Sequence, residues 1–135
     1  MQLTKQGAYE SFAAPDGKTI FYSKDRDTLG LWSVSANAVA ETSDEKPVAE
    51  LALAGFRRSW TIAAGGIFYV ARAEQPPYKI NFYDITANQT REIAATDKAP
   101  ILDSPDLGVS SDGKTILYAQ YDQNASNIII AEIGK

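Results

Sequence analysis

The sequence contains no cysteine and no histidine. The absence of cysteine excludes disulfide bonds, thiolate nucleophiles and thiolate metal sites. The absence of histidine excludes imidazole metal ligands, imidazole general bases and the serine–histidine pairs of many hydrolases. Most of the common catalytic and metal-binding arrangements are therefore excluded, and we expect neither a metal ion nor a cofactor.

Positive charge is also scarce, because 13 lysine and arginine residues stand against 17 aspartate and glutamate residues. Affinity for nucleic acid depends on clustered basic side chains, so this balance argues against a nucleic-acid partner. The longest apolar stretch, 60–71, is about half of the ~20 residues that a membrane-spanning helix needs. The N-terminus also lacks the basic start and apolar core of a secretory signal. We expect no membrane partner and a cytoplasmic location, unless a longer protein supplies a signal.

One segment of the sequence is repeated. Asp-Gly-Lys-Thr-Ile-Phe-Tyr at 16–22 recurs at 112–118 with six of its seven residues unchanged. Midway between them, 65–69 reads Gly-Gly-Ile-Phe-Tyr, a similar turn followed by a similar apolar run. Three units of about 48 residues therefore fill the chain, a period typical of propeller blades or helical arrays.

The residues around these turns favour strands. Asp-Gly and Gly-Gly between apolar runs predict hairpins, because glycine accepts the positive φ of a tight turn. The flanking runs are β-branched and aromatic, without a helical stripe. Several are apolar at consecutive positions, which is typical of a sheet covered on both faces. The sequence therefore predicts an all-β fold.

Four strands per unit divide the sequence into three blades of a single domain, 1–135. The blades span 8–53, 57–94 and 107–133. The predicted strands are 8–13, 19–23, 31–35 and 47–53; 57–63, 67–71, 79–86 and 90–94; and 107–111, 115–119 and 127–133. The third blade lacks an outer strand, while 2–6, within the N-terminal segment 1–6, forms an outer strand without a blade of its own.

The first repeat, Ala-Pro-Asp-Gly-Lys-Thr-Ile-Phe-Tyr at 14–22, resembles the Ser-Pro-Asp-Gly-Lys turn of the TolB-like, WD-repeat-like β-propeller family. The copy at 109–118 has serine where that family usually has proline, and the middle copy is shortened to Gly65-Gly66. The chain is similar to the last three blades of propellers fused to bacterial transcriptional regulators and serine/threonine kinases. The resemblance implies a sensing or protein-contact module.

Three blades cannot close a ring, because complete propellers have four to eight. An open wedge exposes blade faces and strand edges, and two-fold pairs are the commonest homo-oligomers. We therefore expect a half propeller that a second copy completes to six blades. In this homodimer, 2–6 of each chain would supply the outer strand of the partner's third blade, beside 127–133.

Candidate binding residues lie in the loops at one end of the predicted blades. Arg57, Arg58 and Arg72 are expected to form an anion or carboxylate pocket, since guanidinium offers a rigid fork of donors. Tyr78 and Tyr121 are expected to flank it. In the alternative interpretation, the two adjacent arginines point to opposite faces of a strand and pair with ordinary surface acids.

The sequence thus indicates a non-catalytic propeller module that binds a protein or a small molecule. A second hypothesis is a carboxylate-based hydrolase of the propeller type, which needs two acids about 5 to 9 Å apart. The predicted inner strands offer few acids, because Glu10 lies in the first, none lies in the second, and Asp106 comes just before the third. A third hypothesis is a remnant of a larger regulator without independent function.

Overall fold

The structure is a computed structural model that describes residues 7–37, 44–101, 107–122 and 125–133. Its strands form three antiparallel sheets, and the only helix among the described residues is the 3-10 turn Ala49–Leu51, so the all-β prediction is confirmed. The first sheet contains β1 (Glu10–Ala13), β2 (Thr19–Ser23), β3 (Leu31–Ser35) and β4 (Lys46–Pro47). The second contains β5 (Trp60–Ala63), β6 (Gly66–Val70), β7 (Tyr78–Asp84) and β8 (Gln89–Thr96). The third contains β9 (Gly108–Val109), β10 (Thr115–Asp122) and β11 (Ala125–Glu132), in the order β11-β10-β9.

The two Asp-Gly turns have one geometry. In the first sheet, the Gly17 amide donates to the Ala14 carbonyl at 2.9 Å, and the Asp16 carboxylate accepts the next amide at 2.8 Å. In the third sheet, the Gly113 amide donates to the Ser110 carbonyl at 2.9 Å. Each aspartate thus caps its own turn, as aspartate commonly does, and the two are copies of one structural device.

The turn of the second sheet lies one residue earlier than the sequence predicts. Ala63 pairs with Gly66, so the two turn residues are Ala64 and Gly65, with φ of 49° and 79°. Positive φ at both positions defines the type I′ hairpin. Gly66 instead begins β6, and a Cβ there would lie 2.4 Å from the Phe82 ring. The glycine pair therefore serves two purposes, a turn and a close ring contact.

The second sheet is buried on both faces. Ile67 and Tyr69 belong to the core shared with the first sheet, whereas Phe68 and Val70 belong to the core shared with the third. All five residues of β6 are buried. This confirms, for the second sheet, the expectation that consecutive apolar residues indicate a sheet covered on both faces.

The aromatic residues Trp60, Phe68 and Phe82 are buried core residues. The Phe12 and Trp60 rings meet edge to face at 4.8 Å across the first and second sheets. Within the second sheet, the Phe68 and Phe82 rings lie 4.7 Å apart. Such pairs stabilise a core beyond the area that they bury.

The predicted outer strand 47–53 is wrong for most of its length. The strand ends at Pro47 and the 3-10 helix follows, with Leu51 and Ala54 buried in the first core. Ala-Glu-Leu-Ala is a sequence of good helix formers, and burial of Leu51 stabilises the helical turn. The predicted start of the second inner strand at 57 is also wrong, because β5 begins at Trp60 and Arg57 has a φ of 58°, outside the extended region.

The third sheet has three strands in the described residues, and β11 forms its edge. The predicted N-terminal strand, 2–6, lies outside the described residues, as does Asp106. The part of the chain that the structure describes contains no helix of the length and hydropathy that a bilayer crossing requires.

Substituting Gly66→Ala should lower the free energy of unfolding by about 2–3 kcal/mol, because the new methyl group overlaps the Phe82 ring and the Tyr83 carbonyl. Gly108→Ala is the matched control, since its Cβ would make ordinary contact with Leu117 at 3.6 Å. Its effect should stay below about 1 kcal/mol. Urea denaturation measures both, and equal losses would contradict the packing at Gly66.

Candidate functional site at the loop end of the sheets

Four loops meet at the end of the sheets where β2 and β6 finish, and we call this region the loop end. It comprises loops 24–30, 52–59, 71–77 and 97–101. Antiparallel pairing brings them together, because chains leaving β2 and β6 emerge where β1 and β5 begin. The predicted binding residues Arg57 and Arg58 lie in the second of these loops, and Arg72 lies in the third.

Backbone hydrogen bonds tie these loops to one another. The Arg57 amide donates to the Arg26 carbonyl at 2.7 Å, and the Arg72 amide donates to the Leu53 carbonyl at 3.0 Å. The loops therefore form one connected surface, on which side chains from the first two sheets keep fixed relative positions.

Two of the predicted arginines share one aromatic ring. The guanidinium carbon of Arg72 lies 4.6 Å from the centroid of Phe56, and that of Arg57 lies 5.1 Å from it. Arg57 Nε also lies 3.0 Å from Asp27 Oδ1, and Arg72 Nη2 lies 3.5 Å from Glu74 Oε1. Both acids are exposed, so the two guanidiniums face solvent-accessible anionic partners.

The backbone at Arg57 explains this arrangement. Gly55 and Arg57 both have positive φ, 87° and 58°, so the segment turns sharply before β5 begins. A non-glycine residue in this region stores strain. The alternative interpretation is wrong in placing Arg57 and Arg58 on opposite faces of a strand, because both precede β5. Its other part is confirmed, since Arg57 pairs with Asp27 and Arg58 with Glu10.

Arg58 points elsewhere. Its Nη1 lies 3.6 Å from Glu10 Oε2, and its guanidinium lies 5.8 Å from the centroid of Tyr9. Both contacts belong to the start of the first sheet. Arg58 thus pairs with the acid of the first inner strand, while Arg57 and Arg72 face the Phe56 ring.

Tyr78 lies beside Arg72 at the rim of a small cavity. The cavity measures about 150 Å³ and is also lined by Glu74, Ala99 and Pro100. Tyr78 begins β7, whereas the sequence predicts it in the loop just before the strand. The cavity is large enough for a carboxylate or phosphate group.

Tyr121 is not in a loop. Its predicted position between the strands 115–119 and 127–133 is wrong, because β10 continues to Asp122 and β11 begins at Ala125. The Tyr121 amide donates to the Ala99 carbonyl at 2.9 Å, which brings its backbone next to the small cavity. Its side chain is exposed, on the same face of the third sheet as Leu117.

Asp25 organises the first loop. Its carboxylate accepts the Thr28 hydroxyl at 2.7 Å and the amides of Asp27 and Thr28 at 3.0 and 2.8 Å. The Thr28 hydroxyl, followed by the Asp27 amide, lowers the pKa of Asp25. A general acid needs a raised pKa, so Asp25 fits a turn-forming role rather than proton donation.

A larger cavity, about 420 Å³, lies away from the predicted residues, between the first and second sheets. Phe21, Lys46, Glu50, Tyr83 and Asn88 are among its lining residues. The Tyr83 hydroxyl donates to Asn88 Oδ1 at 2.6 Å, and burial raises the pKa of Tyr83. Sequence reasoning missed this cavity because it treated 47–53 as a strand. The helix-forming run after Pro47 was the available signal.

Metal coordination has little support at either cavity. In residues 7–37, 44–101, 107–122 and 125–133, no three histidine, cysteine, aspartate or glutamate residues come together as a metal-binding group. Two acids of the loop end are instead paired with arginines, Asp27 with Arg57 and Glu74 with Arg72.

Thr28→Val should raise the pKa of Asp25 towards its ordinary value, because it removes the hydroxyl that contributes most to the lowering. The lowered pKa means that the ionised form stabilises the fold. That contribution is present above the unfolded pKa and is lost as the pH falls through the folded one. Carbon NMR of the carboxyl groups measures the midpoint. The Asp112 midpoint, which the Ser110 hydroxyl lowers, is the internal control. An unchanged Asp25 midpoint would contradict the assignment.

Comparison with known proteins gives a fold and no family. No family model matches the chain, and no curated protein matches it. A crystal structure of a candidate 6-phosphogluconolactonase from Bacteroides fragilis NCTC 9343 is similar in structure to 95% of this chain, with a TM-score of 0.54 and 14% sequence identity. The similarity covers 38% of that protein, so the chain spans well under half of its length. At this identity the likeness concerns the fold, and the three antiparallel sheets form a propeller-like arrangement.

Proposed function

We propose that the chain is a non-catalytic binding module of a β-propeller, and that its loop end takes a small anionic ligand. The observation that carries the proposal is the pair of guanidiniums, Arg57 and Arg72, on the Phe56 ring. Arg72 also lines the small cavity with Tyr78. An entering anion would therefore meet a charged fork and a phenol side by side.

Electrostatics support an anionic ligand. A guanidinium binds carboxylate or phosphate through two parallel donors, which gives direction as well as attraction. The ion pair between Arg72 and Glu74 is long, at 3.5 Å, and Glu74 is largely exposed. Exposed pairs contribute about 0–1 kcal/mol, so a ligand can displace Glu74 at little cost.

The proposal includes the assembly. We infer a half propeller that a second copy completes to six blades, in keeping with the resemblance of the Asp-Gly-Lys turns to TolB-like propellers. In this assembly, 2–6 of one chain pairs with β11 of the other. The edge position of β11 supports the pairing, because an edge strand offers unpaired backbone groups to another strand.

The absence of two common catalytic side chains supports binding over catalysis. Histidine and cysteine are missing, and the lowered pKa of Asp25 keeps that carboxyl ionised. The alternative function is a carboxylate-based hydrolase, which the name of the Bacteroides protein favours because a phosphorylated lactone is also an anion. Opening of 6-phosphogluconolactone faster than its spontaneous hydrolysis would establish the alternative.

Arg72→Gln should weaken binding of 6-phosphogluconate, a probe with both a phosphate and a carboxylate, by at least about tenfold. Arg91→Gln is the matched control, since Arg91 also covers a phenylalanine ring, that of Phe82 at 5.0 Å, but lies on β8. Isothermal titration calorimetry at low salt measures both affinities. Equal affinities in the two variants, or no binding by the unmodified protein, would overturn the anion site.

A further inference from the structure

One position in the second strand of each sheet carries a large apolar side chain, and only in the third sheet is that side chain exposed. Phe21, Phe68 and Leu117 occupy the same place in β2, β6 and β10, as the repeated segments show. Phe21 is 5% exposed under the second sheet, and Phe68 is 3% exposed under the third. Leu117 is 42% exposed. Phe21 and Phe68 are buried because the following sheet packs over them, whereas no described sheet packs over Leu117.

The strand next to β6 and β10 in each sheet shows the same contrast in exposure. Phe82 pairs with Phe68 on β7, and Ile130 pairs with Leu117 on β11. Phe82 is 7% exposed, whereas Ile130 is 71% exposed. Two residues earlier on each strand, Ile80 is 1% exposed and Ile128 is 66% exposed. Leu117, Ile128 and Ile130 therefore form an apolar surface, here called the open face, at positions that the second sheet buries against a neighbour.

The residues with which each sheet packs against the preceding sheet also repeat. An isoleucine and a tyrosine, two residues apart, recur at the same place in every sheet. They are Ile20 and Tyr22, Ile67 and Tyr69, and Ile116 and Tyr118. In the second sheet this pair packs towards the first, and in the third it packs towards the second. The first sheet carries the same pair, and among the described residues no sheet precedes it.

The first sheet's outer face is partly covered by its own charges. Lys24 lies over the Trp32 ring at 4.4 Å and forms an ion pair with Glu45 at 3.0 Å, while Glu45 accepts the Tyr22 hydroxyl. Tyr22 is therefore buried, and Ile20 and Trp32 remain half-buried. They are the apolar side chains that this face still offers.

We propose that the open face binds the outer face of the first sheet of a second copy, so that two chains close into one ring. The contact continues the packing that joins the first to the second sheet and the second to the third. A two-fold axis produces this contact twice, and neither chain is left with an uncovered open face. Removal of a contiguous apolar surface from water supplies the driving force. The inference rests on the half-propeller assembly proposed above and adds the surfaces that join its halves.

Light scattering after size exclusion tests the open face. The unmodified protein should show about twice the chain mass of 14.7 kDa, and Ile130→Asp should show one chain mass at the same concentration. Leu53→Asp is the matched control, because Leu53 is also exposed but lies at the loop end, and this variant should remain a dimer. Circular dichroism should be unchanged in both variants, since both side chains are exposed in the single chain. A monomeric unmodified protein, or a dimeric Ile130→Asp, would overturn the proposal.

Disulfide trapping tests which face the partner presents. The chain has no cysteine, so single substitutions give an unambiguous cross-link. Ile130→Cys and Ile20→Cys proteins, mixed under mild oxidation, should form the mixed disulfide, because cross-linked Cβ atoms must lie about 3.5–4.5 Å apart. A homodimeric disulfide of Ile130→Cys alone would instead indicate two open faces packed together, which would overturn the ring.

These experiments separate the assembly from the ligand site. A dimer that resists Ile130→Asp would overturn this interface and leave the half-propeller pairing standing. A monomer that binds 6-phosphogluconate through Arg72 would overturn the assembly and leave the anion site standing.

Discussion

The second sheet, packed between two others, is the constraint on which the rest of the molecule depends. Each residue of β6 must fit one of two neighbours, so Ile67 and Tyr69 serve one core while Phe68 and Val70 serve the other. Gly66 allows the Phe82 ring to lie against the backbone at the end of this strand. Because both cores share β6, a shift of this strand disturbs the packing of both. The second sheet also positions the loop end, since Arg57 precedes β5 and Arg72 follows β6.

The loop end and the open face represent two uses of one repeated unit. At the loop end, the repeats diverge, and the residues that meet there, Phe56 and Arg72, have no counterpart in the repeated turn. On the sheet faces the repeats agree, and agreement is what lets each unit cover the next. Repeated architectures of this kind derive stability from contacts between neighbours, so their terminal units determine solubility and assembly.

The all-β fold was predictable because the turn chemistry is local. Asp16 and Asp112 cap their turns within three residues, so the same short sequence produces the same geometry twice. The departures have tertiary causes. Arg57 adopts a positive φ within a segment held by backbone bonds from other loops, and nothing in its neighbours along the chain indicates this. The 3-10 helix forms where it brings Leu51 into the core. The alternation of apolar residues along a strand does not predict this stabilisation. The pairing of Arg72 with Phe56 joins loops from different sheets, and the sequence could predict the region but not the ring that organises it.

The two tryptophans divide the fluorescence of the molecule into an interior and a surface signal. Trp60 lies in the first core, against Phe12, and is shielded from water. Trp32 is half-buried beneath the Lys24 ammonium, on the outer face of the first sheet. An indole in that position responds in emission wavelength to the polarity of whatever covers it, while Trp60 provides a constant background. The protein therefore carries its own spectroscopic reporter at one end of the stack of sheets, and no external dye is needed to follow events on that face.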